Sequence, residues 1–168
     1  MVRRGAGFSP AWVPNTFINE YIDRAWHGMR ARSEGFRTEV VREFAADAGT
    51  LSVLPQELGR VILNLLNNAF DALRDAEDPT VSVSTARSQE SVQIRISDNG
   101  PGIPTDIREK IFEPFFTTKA TGEGTGLGLS LSHDIVTKGH GGTMTAGTAP
   151  SGSAEFLISL PQQSSIPS

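Results

Sequence analysis

The chain has 168 residues, 38% hydrophobic and 20% charged, with a formal net charge of −4. That size and balance describe one globular domain with a real core, and the acidic excess argues against a nucleic-acid partner. Cysteine is absent, which excludes disulfides, thiolate metal ligands and a cysteine nucleophile.

Residues 1–14 (MVRRGAGFSPAWVP) mix Gly, Pro and Arg without periodicity and read as a linker. They lack the apolar centre of a signal peptide, and no apolar run is long enough to span a bilayer. A cytoplasmic setting without membrane contact is therefore expected. The folded domain is expected over 15–161. Asn15 or Thr16 is suited to cap a helix reaching Arg32, with Phe17, Ile18, Tyr21, Ile22, Ala25 and Met29 on its buried face. FRTEVVREF (36–44) is strand-like, and 51–54 is a second, shorter candidate.

The stretch 57–73, ELGRVILNLLNNAFDAL, is the centre of the chain. Pro55 and Glu57 suit a helix start. Val61, Ile62, Leu65, Ala69, Ala72 and Leu73 recur at i, i+3 and i+4, the period of an amphipathic core helix. Asn64, Asn68 and Asp71 form a second, polar line, and at about 100° per residue they fall within roughly 60° of one another. Asn and Asp compete for the backbone inside helices. Such a stripe calls for a polar partner.

Beyond Pro79, residues 80–85 form a strand with Val81 and Val83 on one face. Ser91–Asp98 alternates more cleanly: Val92, Ile94 and Ile96 point one way, and Asp98 shares their parity. A carboxylate on the core side needs a donor. DNGPGIP follows, a turn whose glycines let backbone approach a ligand. TDIREKIF is a short helical piece, and FEPFFTTKATGEG is a long Gly-flanked loop that reads as a lid. A second helix covers 126–137, strands cover 142–147 and 153–160, and 162–168 is an expected disordered tail.

These features ask for a nucleotide. GEGTGLGLS places glycine N–H groups before a helix start, a cradle for phosphate that is not a Walker A loop. Asp98 can accept from the adenine amino group, where guanine would offer another acceptor. The Asn68 oxygen suits Mg²⁺, which takes oxygen ligands and few of them from protein. Asn64 lies one turn earlier, near the phosphates.

At this point the chain resembles a known family. NLLNNAFDAL, DNGPGI, FEPFFTTK and GTGLGLS look like the N, G1, F and G2 boxes of histidine-kinase ATP-binding domains, in the superfamily shared with gyrase and MutL-type ATPases. The resemblance implies an α+β Bergerat fold: a two-layer α/β sandwich whose mixed, mostly antiparallel sheet carries helices on one face. It implies ATP and Mg²⁺ as ligands, with Asn68 on the metal and Asp98 on adenine. Gly100, Gly102 and Ile103 would shape the adenine pocket. Gly124, Thr125, Gly126, Leu127 and Gly128 would hold the phosphates, with Lys119 reaching them from the lid. Ser153 matches a small hydroxyl near adenine, and Asn64 and Asp71 complete the ATP-facing stripe.

Two departures sharpen that implication. Hydrolysing members carry a glutamate base where this chain has Asn64, and an amide cannot take a proton from water. Many kinases carry a basic residue where this chain has Asp71, although NAxDA occurs in the ATPases and in some nitrogen-type kinases. The expected activity is transfer of the γ-phosphoryl to a histidine on a dimerisation domain, with a response-regulator receiver domain as the indirect partner. His27, His133 and His140 are the chain's histidines, and each reads as structural or surface. The chain therefore reads as a catalytic half, monomeric by itself. A gyrase-type ATPase, an anti-sigma-factor-like serine kinase and a nucleotide-gated interaction module are the competing readings.

Overall fold

The computed structural model describes residues 9–12, 14–49, 51–114, 116, 128–148 and 152–162. In chain order the elements are β1 (Ser9–Trp12), α1 (Pro14–Arg32), β2 (Glu39–Phe44), β3 (Leu51–Val53), α2 (Pro55–Ala72), β4 (Thr80–Ser88) and β5 (Ser91–Asp98). After two short 3₁₀ turns come α3 (Gly128–Asp134), a π-helical turn (Ile135–Gly139), β6 (Thr143–Thr148) and β7 (Ala154–Pro161).

A five-stranded sheet runs in the order β2-β4-β5-β7-β6, with β2–β4 parallel and every other pair antiparallel. Because side chains alternate across a strand, this register lines up one apolar face. Val83 pairs with Ile96, Ile94 with both Thr85 and Ile158, and Val92 with Leu160. Leu58, Ile62, Leu65, Leu66 and Phe70 of α2 are buried in the same core as that face and as Ile18 and Ile22 of α1. Each such side chain contributes about 1.5–3 kcal/mol of transfer free energy. The fold is the expected two-layer α+β sandwich with a mixed sheet.

Several local expectations change. Ser9–Trp12, inside the stretch read as a linker, pairs antiparallel with β3 in a separate two-stranded sheet. Helix α1 starts at Pro14, and Asn15 spends its side chain on tertiary bonds: its Nδ2 donates to the Ala45 carbonyl (2.7 Å), and Thr85 Oγ1 donates to its Oδ1 (2.7 Å). Ala72, expected on the buried face of α2, is exposed at the last residue of the helix, while Leu73 just after it is buried. TDIREKIF forms two 3₁₀ turns, Thr105–Ile107 and Lys110–Phe112, in place of one helical piece. Gln162 is not loose: its N–H bonds the Glu90 carbonyl at 2.6 Å, while Arg87 Nε donates to its Oε1 at 3.1 Å.

The second helix also departs from regularity. Thr137 Oγ1 donates to the His133 carbonyl (2.8 Å), taking an acceptor that belongs to the backbone ladder, as back-bonding Thr residues do where helices bend. The π-helical turn follows. Gly141 (φ 67°) closes it, with Gly142 N–H on Val136 O (2.9 Å) and Gly141 N–H on Thr137 O (3.0 Å), each bond reaching one residue further back than in a Schellman cap, as the wider π turn requires. Between them His140 donates from Nδ1 to Ile135 O (2.9 Å) and accepts the Leu54 N–H on Nε2 (3.0 Å). That second bond satisfies a donor at the start of α2, which has no side-chain cap. Among the described residues no helix is long and apolar enough to cross a membrane.

The two long helices meet at Gly59, where an added Cβ would run into the Tyr21 ring. Gly59→Ala gains about 1 kcal/mol of helix propensity but overpacks this crossing, which costs about 1–3 kcal/mol. Urea denaturation should show net destabilisation in the native background. In a Tyr21→Ala background the same change should stabilise.

Candidate functional site

The site is built where α2, the turn after β5, the β6–β7 connection and the start of α3 converge. The polar stripe of α2 lies opposite its buried stripe, so Asn64, Asn68 and Asp71 are all half-buried. Asn64 Nδ2 donates to the Gly128 carbonyl (3.3 Å) and to Ser132 Oγ (3.1 Å), tying α2 to α3. Asp71, at the outer end, meets Arg74 Nη2 at 3.4 Å, a surface pair of the kind that contributes about 0–1 kcal/mol.

Asp98 closes β5 on the core face, opposite Val81, and is 9% exposed. Desolvation pushes its carboxyl above the usual range, and the Gly100 N–H, donating to Oδ1 at 2.9 Å, opposes that rise. The turn is held on both sides. A Cβ at Gly100 would lie 3.0 Å from Leu73 Cδ2 and 3.1 Å from Asp98 Oδ1, so the turn rests on the end of α2. A Cβ at Gly102 would collide with the Gly152 carbonyl, which puts the turn against the backbone next to buried Ser153. Arg108 Nε fixes the Ile103 carbonyl from below (3.3 Å), and Arg108 also bonds Thr148 Oγ1. Glycine is required at 102 by this close approach.

The structure thus brings together Asp98, Gly100, Gly102, Ile103 and Ser153 at one end of α2, and Asn64 and Gly128 beside its middle. Asn68 and Asp71 lie on the same stripe. Lys119, Gly124, Thr125, Gly126 and Leu127, together with most of the expected lid, lie outside the described residues. Ser132 was not among the expected site residues. Its only sequence signal is a hydroxyl four residues after Gly128 on an otherwise apolar helix face.

Chemically, the arrangement offers a buried hydrogen-bond acceptor beside a glycine turn, and carboxamide oxygens one helical turn apart. That donor set fits a nucleotide and a hard, oxygen-seeking Mg²⁺. A base for water is missing at Asn64, whose amide hydrogens face α3. The histidines stand apart from this site in different ways. His27 is exposed beside Trp26, His133 lies 4.9 Å from the Phe112 ring, and His140 has both ring nitrogens engaged.

The sequence model of the histidine kinase-, DNA gyrase B-, and HSP90-like ATPases matches residues 53–164. The C4-dicarboxylate transport sensor protein DctB of Rhizobium meliloti (strain 1021) is 35% identical over 146 residues, 86% of this chain and 23% of that protein. Sensor histidine kinase ZraS of Escherichia coli O157:H7 is 37% identical over 150 residues, 88% of this chain and 30% of its own length. The chain therefore spans under a third of these relatives. The nucleotide-free catalytic domain of histidine kinase ThkA superposes with a TM-score of 0.79 at 26% identity, over 92% of this chain and 95% of that one.

Asp98→Asn separates the two roles of the carboxylate. On the expectation that the carboxylate accepts from the adenine amino group, ATP affinity should fall by about 1–3 kcal/mol. The ligand-free protein should become more stable at neutral pH, since a raised native pKa means that folding there buries a charge at a cost. That advantage over the native chain should fade as the pH drops through the native pKa, where Asp98 is neutral too. Calorimetric titration with ATP and thermal melts across pH check both parts.

Proposed function

This chain belongs to the histidine kinase-, DNA gyrase B-, and HSP90-like ATPase family, and from that premise we propose that it is the Mg-ATP-binding catalytic domain of a sensor histidine kinase. The observation that carries this reading over the hydrolytic one is Asn64. At the position where hydrolysing members hold a glutamate, this chain has an amide whose nitrogen donates to Gly128 O and Ser132 Oγ. Such a group has no useful basicity and cannot take a proton from water. The names of the relatives, sensor proteins and sensor kinases, support the same reading.

In this reading ATP is the substrate, Asp98 accepts from its adenine amino group, and the Gly100–Gly102 turn and Ser153 bound the base. Asn68 supplies oxygen to Mg²⁺, with Asn64 beside it; the metal, when bound, neutralises charge on the β- and γ-phosphates. Lys119 and the glycines of 124–128 contact the phosphates. The reaction breaks the bond between the γ-phosphorus and its bridging oxygen and forms a phosphorus–nitrogen bond to an imidazole of a histidine-bearing dimerisation domain. ADP leaves with the bridging oxygen. The phosphoryl then passes to an aspartate of a response-regulator receiver domain. What the chain itself contributes is positioning, charge complementarity and the exclusion of a base that would activate water.

Two measurements test this. Incubated alone with γ-labelled Mg-ATP, the chain should bind nucleotide, release little phosphate and remain unlabelled. Addition of a histidine-bearing dimerisation domain from a related sensor kinase should then yield acid-labile, base-stable label on the added protein. Steady phosphate release points instead to an ATPase, and acid-stable label to a serine kinase. Separately, Asn68→Ala should remove most of the gain in ATP affinity that MgCl₂ provides; a retained gain would mean that another ligand holds the metal.

A further inference from the structure

The amide of Asn64 has two different ends, and α3 decides which one a ligand meets. A backbone carbonyl only accepts, so the end of Asn64 facing Gly128 O has to be the nitrogen. The nitrogen carries two hydrogens, and two acceptors stand before it: Gly128 O at 3.3 Å and Ser132 Oγ at 3.1 Å. Both hydrogens are therefore committed to α3. Asn64 is left with its oxygen as the atom to offer, one helical turn before the oxygen of Asn68.

Ser132 is the adjustable half of this clamp. It is fully buried, 0% exposed, between Leu131, the most exposed large apolar side chain described, and half-buried His133. A hydroxyl at such a depth needs a partner, and Asn64, 68 residues away in sequence, supplies it. A Cβ at Gly128 would come to 3.9 Å of Asn64 Cγ and Nδ2, ordinary contact, so α3 lies in packing range of the amide. An aspartate or glutamate at 64 would set carboxylate oxygens against the Gly128 carbonyl. The clamp accepts an amide.

We propose that Ser132 is a positioning residue for metal-dependent nucleotide binding: with Gly128 O it fixes the Asn64 amide so that its oxygen, and not its N–H groups, serves Mg²⁺ or a water in the Mg²⁺ shell. The proposal rests on the reading of the site as an Mg-ATP site and adds to it a residue on α3 that touches neither ATP nor metal. It also makes a distinction that a merely structural serine would not. An oxygen aimed at the metal strengthens Mg-ATP binding and leaves metal-free ATP binding alone, whereas an N–H aimed at phosphate would strengthen both.

The test is calorimetric titration of ATP into the whole chain, with MgCl₂ and with EDTA, for the native protein, Ser132→Ala, Asn64→Ala and the double variant. Ser132→Ala should reduce the Mg²⁺-dependent gain in affinity about fivefold, the worth of one side-chain hydrogen bond, while metal-free affinity stays unchanged. Asn64→Ala should reduce the gain at least as far, and adding Ser132→Ala to it should change nothing further. Equal losses with and without metal, an unchanged gain, or additive losses in the double variant would overturn the proposal. Ser132→Cys, which keeps the shape with a weak acceptor, repeats the comparison if the alanine variant does not fold. A native chain without ATP affinity overturns the underlying reading as well, and is told apart by failing before any substitution is made.

Discussion

Helix α2 has to satisfy two opposite environments with one backbone, and the rest of the structure follows from that constraint. A turn of 3.6 residues lets Leu58, Ile62, Leu65 and Phe70 face the sheet while Asn64 and Asn68 face away. The apolar stripe fixes the helix against β4, β5 and α1 and so sets where the carboxamides stand. Rotating α2 to suit a ligand would expose several fully buried side chains, each worth about 1.5–3 kcal/mol. The polar line is therefore held in place by hydrophobic energy that has nothing to do with ligand. This is preorganisation in its simplest form.

The surrounding pieces are each secured to α2. The turn after β5 rests on Leu73 and the Ala72 carbonyl, α3 is held by Asn64, and the end of the π-helical turn is held through His140 to Leu54. Three segments far apart in the chain thus report to a single helix. Asp98 shows what such an arrangement costs: its carboxylate sits on the core face at the end of β5, where burial disfavours the charge and the Gly100 N–H repays only part. A buried carboxylate with one backbone donor is a strained position, and the hydrophobic layer beneath it absorbs the difference.

The same view places Asn64 in two roles. Its nitrogen is a structural donor to α3, and in the proposed reading its oxygen is the atom that serves the metal. A carboxylate would serve the second role and fail the first. That double demand gives a physical reason for the amide at this position, beyond the absence of a base for water.

Much of this protein was legible in its sequence because the relevant forces are local and periodic. The 3.6-residue period located α2 from Pro55, and the two-residue period located β5 to its last residue and put Asp98 on the inner face. Glycine and proline marked the turn that follows. What the sequence left undecided involves partners distant along the chain. Asn15 looked like a helix cap until the end of β2 and β4 brought up Ala45 O and Thr85 Oγ1; Ala72 fitted the buried period, yet it is exposed among the described residues. The pairing of β1 with β3, the clamp of His140 and the grip of Ser132 on Asn64 join residues about 40, 86 and 68 positions apart. No period encodes such bonds. They exist because the packed sheet and helices bring those groups within 3 or so ångströms of each other, and only the tertiary structure decides which hydrogen-bonding end then meets which.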